Sequence, residues 1–352
     1  MKGSYERVRK LLAGLKPDRM PLYDIIPNDA VLGHFNGGRP VPEGDDDAAA
    51  RAVAEATDST RFACFAPQRP RDEVTPEGRR VSYQRWTTWT EHRAFSSSEE
   101  YASVKRKEMA VARRELSEMK STAGDSWYSM QMDKQKIFGP DYYYVLSIPT
   151  PGLMCLYDEV GLESFSYYLA DCEDVIIEQL ELFTEKACRW VELLPEDDPC
   201  SAVFIGEDIA FNSGPMFSPE WLDREFFPRV KRLSDAVHAR GKLVMYHSDG
   251  NINPIVDSIV RSGADILNPI DVNAGMDLKD LHRRYPRLFF AGGIDVTHLL
   301  PEGTPQQVAD AVTRAIEDTE GRILVGSSTE VSDIVPLGNF LAMRETAMNY
   351  KL

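Results

Sequence analysis

The chain has 352 residues, of which 43% are hydrophobic, enough for a sizeable buried core. Its formal net charge is −16, which argues against a phosphate-backbone partner and against binding to an anionic membrane surface. No apolar run reaches the ~18 residues of a transmembrane helix, and the polar start, Met1 to Arg7, lacks the apolar core of a signal peptide.

The five cysteines (Cys64, Cys155, Cys172, Cys188 and Cys200) include no CxxC pair. Sparse and odd in number, they do not suggest a disulfide framework, and a reducing cytoplasm is the expected location.

The first half supplies three candidate strands: Pro21 to Ile25, Thr60 to Cys64 and Tyr142 to Leu146. Residues 66–140 read differently. They are polar, with Trp86, Trp89, Trp127 and Tyr128 among charges, and predict an inserted β-ribbon followed by a helix from Tyr101 to Met119. This insertion is placed over the mouth of the fold.

From Ser201 a cycle repeats. Ser201 to Ile205 is a short apolar run ending in Gly206-Glu207-Asp208. Ser218, Pro219 and Glu220 stand as N-cap, first-turn proline and first-turn acid, and Leu222, Phe226, Leu233 and Val237 follow at helical spacing until Gly241. Leu243 to Tyr246 ends in His247-Ser248-Asp249-Gly250. Asp265 to Leu267 ends in Asn268-Pro269-Ile270-Asp271. Leu288 to Ala291 ends in Gly292-Gly293-Ile294-Asp295. Arg322 to Val325 ends in Gly326-Ser327-Ser328-Thr329. Helices separate these strands, and one near Leu337 to Tyr350 closes the chain.

Apolar strands alternating with helices predict a parallel sheet covered by helices. Five strands plus the earlier three make eight, the count of a closed (β/α)8 TIM-type barrel, here one domain over 1–352 with an N-terminal extension and the insertion. The alternative is an open doubly wound sheet, but no Gly-rich dinucleotide turn follows an early strand.

In a parallel barrel, working residues stand at the C-terminal strand ends. Those ends carry Glu207, Asp208, His247, Asp249, Asn268, Asp271, Asp295, Ser327 and Ser328. His247 and Asp249 are two apart and point the same way if the strand continues. An imidazole and a carboxylate can bind zinc, with Glu207 or Asp208 as a third ligand, or serve as general acid and base. Against this stand plain structural roles: a histidine held by a carbonyl, carboxylates capping turns, and serines bonding backbone. Tyr83, Trp86, Trp89 and Tyr142 to Tyr144 are candidates to line a pocket for a planar ligand, or else ordinary packing residues.

The residues also carry a family resemblance. Gly206-Glu207-Asp208, Ser218-Pro219-Glu220, His247 to Gly250, Asn268-Pro269, Gly275-Met276-Asp277, Gly292 to Asp295, and Pro336 with Asn339 resemble the uroporphyrinogen decarboxylase-like superfamily. Arg7 to Gly14 and Asp18 to Pro21 look like its opening helix and first strand. The resemblance spans the whole chain and is strongest from about Gly152 onward. It implies a β/α barrel and two candidate activities. The decarboxylases carry an arginine-rich stretch after the first strand, where this chain reads Asp24 to Asp29 with no arginine. Asp58 stands where those enzymes keep a catalytic aspartate. The corrinoid-dependent methyltransferases bind zinc through a His-x-Cys pair and a later cysteine. His247 matches that histidine, Asp249 occupies the first cysteine position, and Ser327 or Ser328 the second.

The resemblance therefore implies a methyltransferase-like enzyme that moves a methyl group between a small methylated compound and a corrinoid carried by a separate protein. Zinc would serve as Lewis acid, and a homodimer is compatible with it. The expected catalytic residues are His247, Glu207 and Asp208. The expected metal ligands are His247, Asp249 and Glu207. Asn268, Asp271, Ser327, Tyr83 and Trp86 are the expected substrate contacts. The alternatives are decarboxylation of a small or tetrapyrrole acid and a non-catalytic binding protein of the same fold.

Overall fold

The computed structural model describes residues 3–61 and 66–351. The eight anticipated strands are present and form a closed parallel barrel. They are β1 (the paired residues Leu22 and Tyr23), β2 (Ser59–Arg61), β3 (Tyr143–Ser147), β4 (Ala202–Gly206), β5 (Leu243–His247), β6 (Ile266–Asn268), β7 (Phe289–Ile294) and β8 (Ile323–Ser327). The strands β2 to β8 lie side by side in chain order. β1 closes the ring. Tyr23 N donates to Val325 O at 2.9 Å on one side, and Ser59 N donates to Leu22 O at 2.9 Å on the other. The sequence-predicted second strand extends to Cys64, which lies outside the described residues.

Both faces of the strands are buried, which is why the sequence reads apolar rather than alternating. Inward residues such as Tyr143, Ala202, Phe204, Met245, Ile266 and Leu324 fill the barrel, and the outward ones pack beneath the helices. Helix α1 (Ser4–Leu12) plugs the N-terminal end of the barrel with Val8, Leu11 and Leu12. It is fastened there by Asp58, which is fully buried and accepts from Ser4, Arg7 and Arg19 at 2.7 Å each.

The insertion is a three-stranded antiparallel ribbon (Arg71–Val74, Arg80–Tyr83, Thr88–Thr90) followed by helix α2 (Ser98–Glu118). A second helix, α3 (Ser126–Phe138), was not anticipated, because its apolar residues show little 3.6-residue periodicity. Its start is set by Asp125, whose carboxylate accepts from Tyr128 N. The ribbon's last turn reaches the mouth: Arg85 pairs with Asp29 at 2.6 Å, and Trp86 Nε1 donates to Asp333 at 2.5 Å. Helices α4 (Leu153–Val160) and α5 (Glu173–Glu192) follow β3. The helix predicted after β4 is interrupted by one wider π-type turn at Leu222–Phe226, just before Pro228, which has no N–H to give. Among the described residues no helix is long and apolar enough to cross a membrane.

Candidate active site at the C-terminal mouth

Side-chain alternation brings three polar groups together. Phe204, Gly206 and Asp208 share one parity on β4 and its extension, as do Met245 and His247 on β5, with Asp249 in the loop that follows. Adjacent registration of these strands, with Gly206 opposite His247, sets Asp208 beside the imidazole. The loop after β5 is drawn in because Asp249 N donates to Asp208 Oδ1 at 2.9 Å. Gly250 makes the turn with φ +84°, and a Cβ there would lie 2.6 Å from Ala210 O. One ligand atom each from Asp208, His247 and Asp249 falls within 4.8 Å of the others.

The state of His247 follows from its neighbours. Asn268 Nδ2 donates to Ala291 O at 3.0 Å, which turns Asn268 Oδ1 toward His247 Nδ1 at 2.8 Å. An amide oxygen only accepts, so Nδ1 carries the proton. Nε2 is left facing Asp208 Oδ1 at 3.4 Å. A lone pair aimed at a carboxylate is unfavourable unless a proton or a cation lies between. Burial opposes charging the ring, but Asp208 and then Asp249 outweigh it and raise the His247 pKa. Burial likewise works against ionised Asp208, and His247 overcomes it to hold that carboxyl below its ordinary value. Asp249 is pushed up, first by burial, and its buried Oδ1 has no partner among the described residues. Two carboxylates and one oriented imidazole nitrogen are an oxygen–nitrogen donor set suited to a divalent ion.

The other predicted residues are placed as follows. Glu207 is fully buried, but it is turned to the loop after β3. Its oxygens accept from Gly152 N at 2.6 Å and Met154 N at 2.8 Å, at the start of α4. Glu207, expected beside His247 as a ligand, is thus turned away from it, and Asp208 stands there instead. Asn268 spends its amide on His247 and Ala291 rather than on a substrate. Asp271 caps the turn at Val272–Ala274. Ser327 Oγ donates to Asp24 at 2.8 Å, and Ser328 Oγ accepts from Val296 N, so neither serine joins the histidine. Tyr83 lies in the ribbon under the Arg71 guanidinium, and Trp86 is engaged with Asp333. Asp58, read by resemblance as a decarboxylase aspartate, sits before β2 at the opposite end of the barrel from the mouth.

Sequence reading missed Asp24, Arg61 and Glu330. The strand-end rule that picks His247 also picks Asp24 and Arg61, at the ends of β1 and β2. The Arg61 guanidinium lies 4.1 Å over the Phe204 ring, whose centroid is 5.0 Å from that of His247. Arg61 also bears electrostatically on Asp208, His247 and Glu330. Asp24 accepts from Ser327 N, Ser327 Oγ and Ile25 N, yet burial pushes its pKa to about 7.

Residues 180–350 match the protein family described as uroporphyrinogen decarboxylase (URO-D). The methylcobamide:CoM methyltransferase MtbA of Methanosarcina mazei is 21% identical over 179 residues, covering 51% of this chain and 50% of that protein. Its namesake from Methanosarcina acetivorans is 26% identical over 151 residues, covering 42% of this chain and 43% of that protein. The matched part thus spans half or less of these curated relatives. A solved methyltransferase from Methanosarcina mazei has a TM-score of 0.65 at 13% identity, covering 99% of this chain and 98% of that one. At that identity the likeness shows the shared barrel fold.

Proposed function

We propose that this barrel, whose C-terminal half carries the uroporphyrinogen decarboxylase family segment and whose curated relatives are methyltransferases, moves a methyl group between a small methylated compound and a corrinoid held by a separate protein. The observation that carries this reading is the convergence of His247 Nε2, Asp208 and Asp249 at the mouth, with Asp249 Oδ1 left unpartnered. These three residues would hold a divalent ion, zinc being the candidate. Bound there, such an ion supplies Lewis acidity to the leaving oxygen or nitrogen of the methyl donor.

The chain's own residues do the rest. Asn268 holds His247 in the tautomer that presents Nε2. The Asp249 N–H keeps Asp208 in place. Phe204, next to the imidazole, gives the floor of the site an apolar face. Arg61 over that ring offers a cation to any anionic part of a substrate. With Asp249 and Ser327 at the two cysteine positions, no thiolate stands beside His247 among the described residues, so oxygen- or nitrogen-bound methyl donors suit the site better than activation of a thiol.

The test has two parts. Metal analysis of protein purified without chelators should find close to one divalent ion per chain, lost in His247→Ala. A spectroscopic assay with a free cobalt(I) corrinoid and a panel of methoxy and methylamine compounds should show transfer, slowed by about 100-fold or more in His247→Ala. A metal content below a few tenths of an equivalent would remove the metal from this reading. Transfer that proceeds undiminished without His247 and Asp249 would remove the site.

A further inference from the structure

Asp208 stands two residues past Gly206, the last residue of β4, so the ladder no longer fixes its backbone. The peptide that follows it is pinned at both polar edges instead. Asp208 O accepts from the Tyr157 hydroxyl at 2.6 Å, and Ile209 N donates to Ser248 Oγ at 3.1 Å. A peptide group is planar, so bonds on its two edges set its orientation, and with it the direction in which Asp208 projects its carboxylate. Ser248 lies in the loop after β5, beside Asp249, whose N–H holds Asp208 Oδ1. The loops after β4 and β5 are thus tied to each other. Tyr157 comes from α4, 51 positions before Asp208, and ties this pair of loops to a separate element. Its ring is 8% exposed and packs beside Phe217, with centroids 6.3 Å apart, so the hydroxyl is presented from a fixed frame.

We propose that Tyr157 is a positioning residue for the candidate ion site: its hydroxyl orients the peptide from which Asp208 projects and so keeps Asp208 Oδ1 facing His247 Nε2. The inference rests on the reading of Asp208, His247 and Asp249 as ion ligands. Tyr157 touches neither ion nor substrate and acts through Asp208. Removing the hydroxyl leaves a carbonyl without its donor, an unfavourable state that is relieved when the peptide turns. The carboxylate turns with it and leaves the place where three ligand atoms lie within 4.8 Å of one another.

Titration of the full chain, freed of metal, with Co(II) tests this, followed by visible absorption and by competition with a chromophoric chelator. The wild type should bind about one Co(II) per chain. Tyr157→Phe keeps the ring and removes the donor. It should weaken Co(II) by about tenfold and change the intensity of the visible bands, which report ligand geometry. Ser248→Ala frees the other edge of the same peptide and should weaken Co(II) by a similar factor. The double variant should lose less than the product of the two, because both bonds hold one group. If Tyr157→Phe does not fold, Ser248→Ala carries the same reading, and an unchanged affinity there overturns the pinned peptide. Absence of Co(II) binding in the wild type overturns the ion site and this inference with it. Wild-type binding that Tyr157→Phe leaves unchanged in affinity and spectrum overturns this inference alone, whatever the change in Tm, and gives the hydroxyl a packing role.

Discussion

The Asn268 amide shows how far a single residue reaches in this protein. One of its ends is fixed on Ala291 O and the other therefore dictates the His247 tautomer. Asn268→Ala should leave the ligand set intact but free the imidazole to turn, lowering divalent-ion affinity by about 10- to 100-fold in a competition titration. An unchanged affinity would mean the ring is held by packing alone. Asp24 makes a second residue-level case. Its pKa is raised in the folded state from an ordinary 3.8 to about 7, so its contribution to stability is full at low pH and is lost as pH rises through about 7. That rise corresponds to roughly 4 kcal/mol. Asp24→Asn should flatten the decline in unfolding free energy between about pH 4 and about pH 7, measured by urea titration. An undiminished slope would assign the effect elsewhere, Glu207 being the other carboxyl pushed to about 7 by burial.

Elements are tied to the barrel by buried carboxylates at both ends. At the closed end, Asp58 binds α1 through Ser4 and Arg7. Asp58→Ala would remove the buried carboxylate that two arginines share, one 7% and one 12% exposed in its side chain; Arg7 keeps its pair with Asp18, so the cost in chemical denaturation should be about 3 kcal/mol, the lower end for a broken buried pair. At the mouth, Glu207 does the same for the start of α4, with both oxygens on backbone N–H groups. Glu207→Gln replaces one acceptor by a donor facing a donor. It should cost about 1–3 kcal/mol of stability while metal content stays at the wild-type level. A drop in divalent-ion affinity in that variant would restore Glu207 to the proposed ligands. The ribbon, by contrast, rests on half-exposed pairs such as Arg85 with Asp29. Arg85→Ala should change stability by less than about 1 kcal/mol.

The whole molecule depends on ring closure at the seam between β8 and β1. A Cβ on Gly326 would come within 1.9 Å of Tyr23 O, so only glycine lets the strands meet there. Gly326→Ala should therefore destabilise by about 4 kcal/mol or more, visible as a lowered Tm, because the obstacle is backbone on a paired strand and cannot swing away. A variant of wild-type stability would show that the seam has slack. The short β1 explains why the sequence offers only a candidate strand at Pro21 to Ile25: two paired residues give periodicity nothing to work with.

The sequence by itself determined the strand count, the parallel order and the rim on which polar residues gather, because runs buried on both faces and their Gly- or Asp-bearing ends are local properties. Alternation along the strand points His247 to the mouth, but the strand ends there, and it is the bond from Asp249 N to Asp208 that holds Asp249 beside it. Tertiary structure alone decided which carboxylate joins them. Glu207 and Asp208 are neighbours with the same chemistry, and only the position of the loop after β3, more than fifty residues upstream, draws one away to backbone amides and leaves the other beside the imidazole. Asp24 meets Ser327 across 303 positions for the same reason. Closing a ring brings the first strand against the last, and no local pattern encodes what an end of the chain finds there.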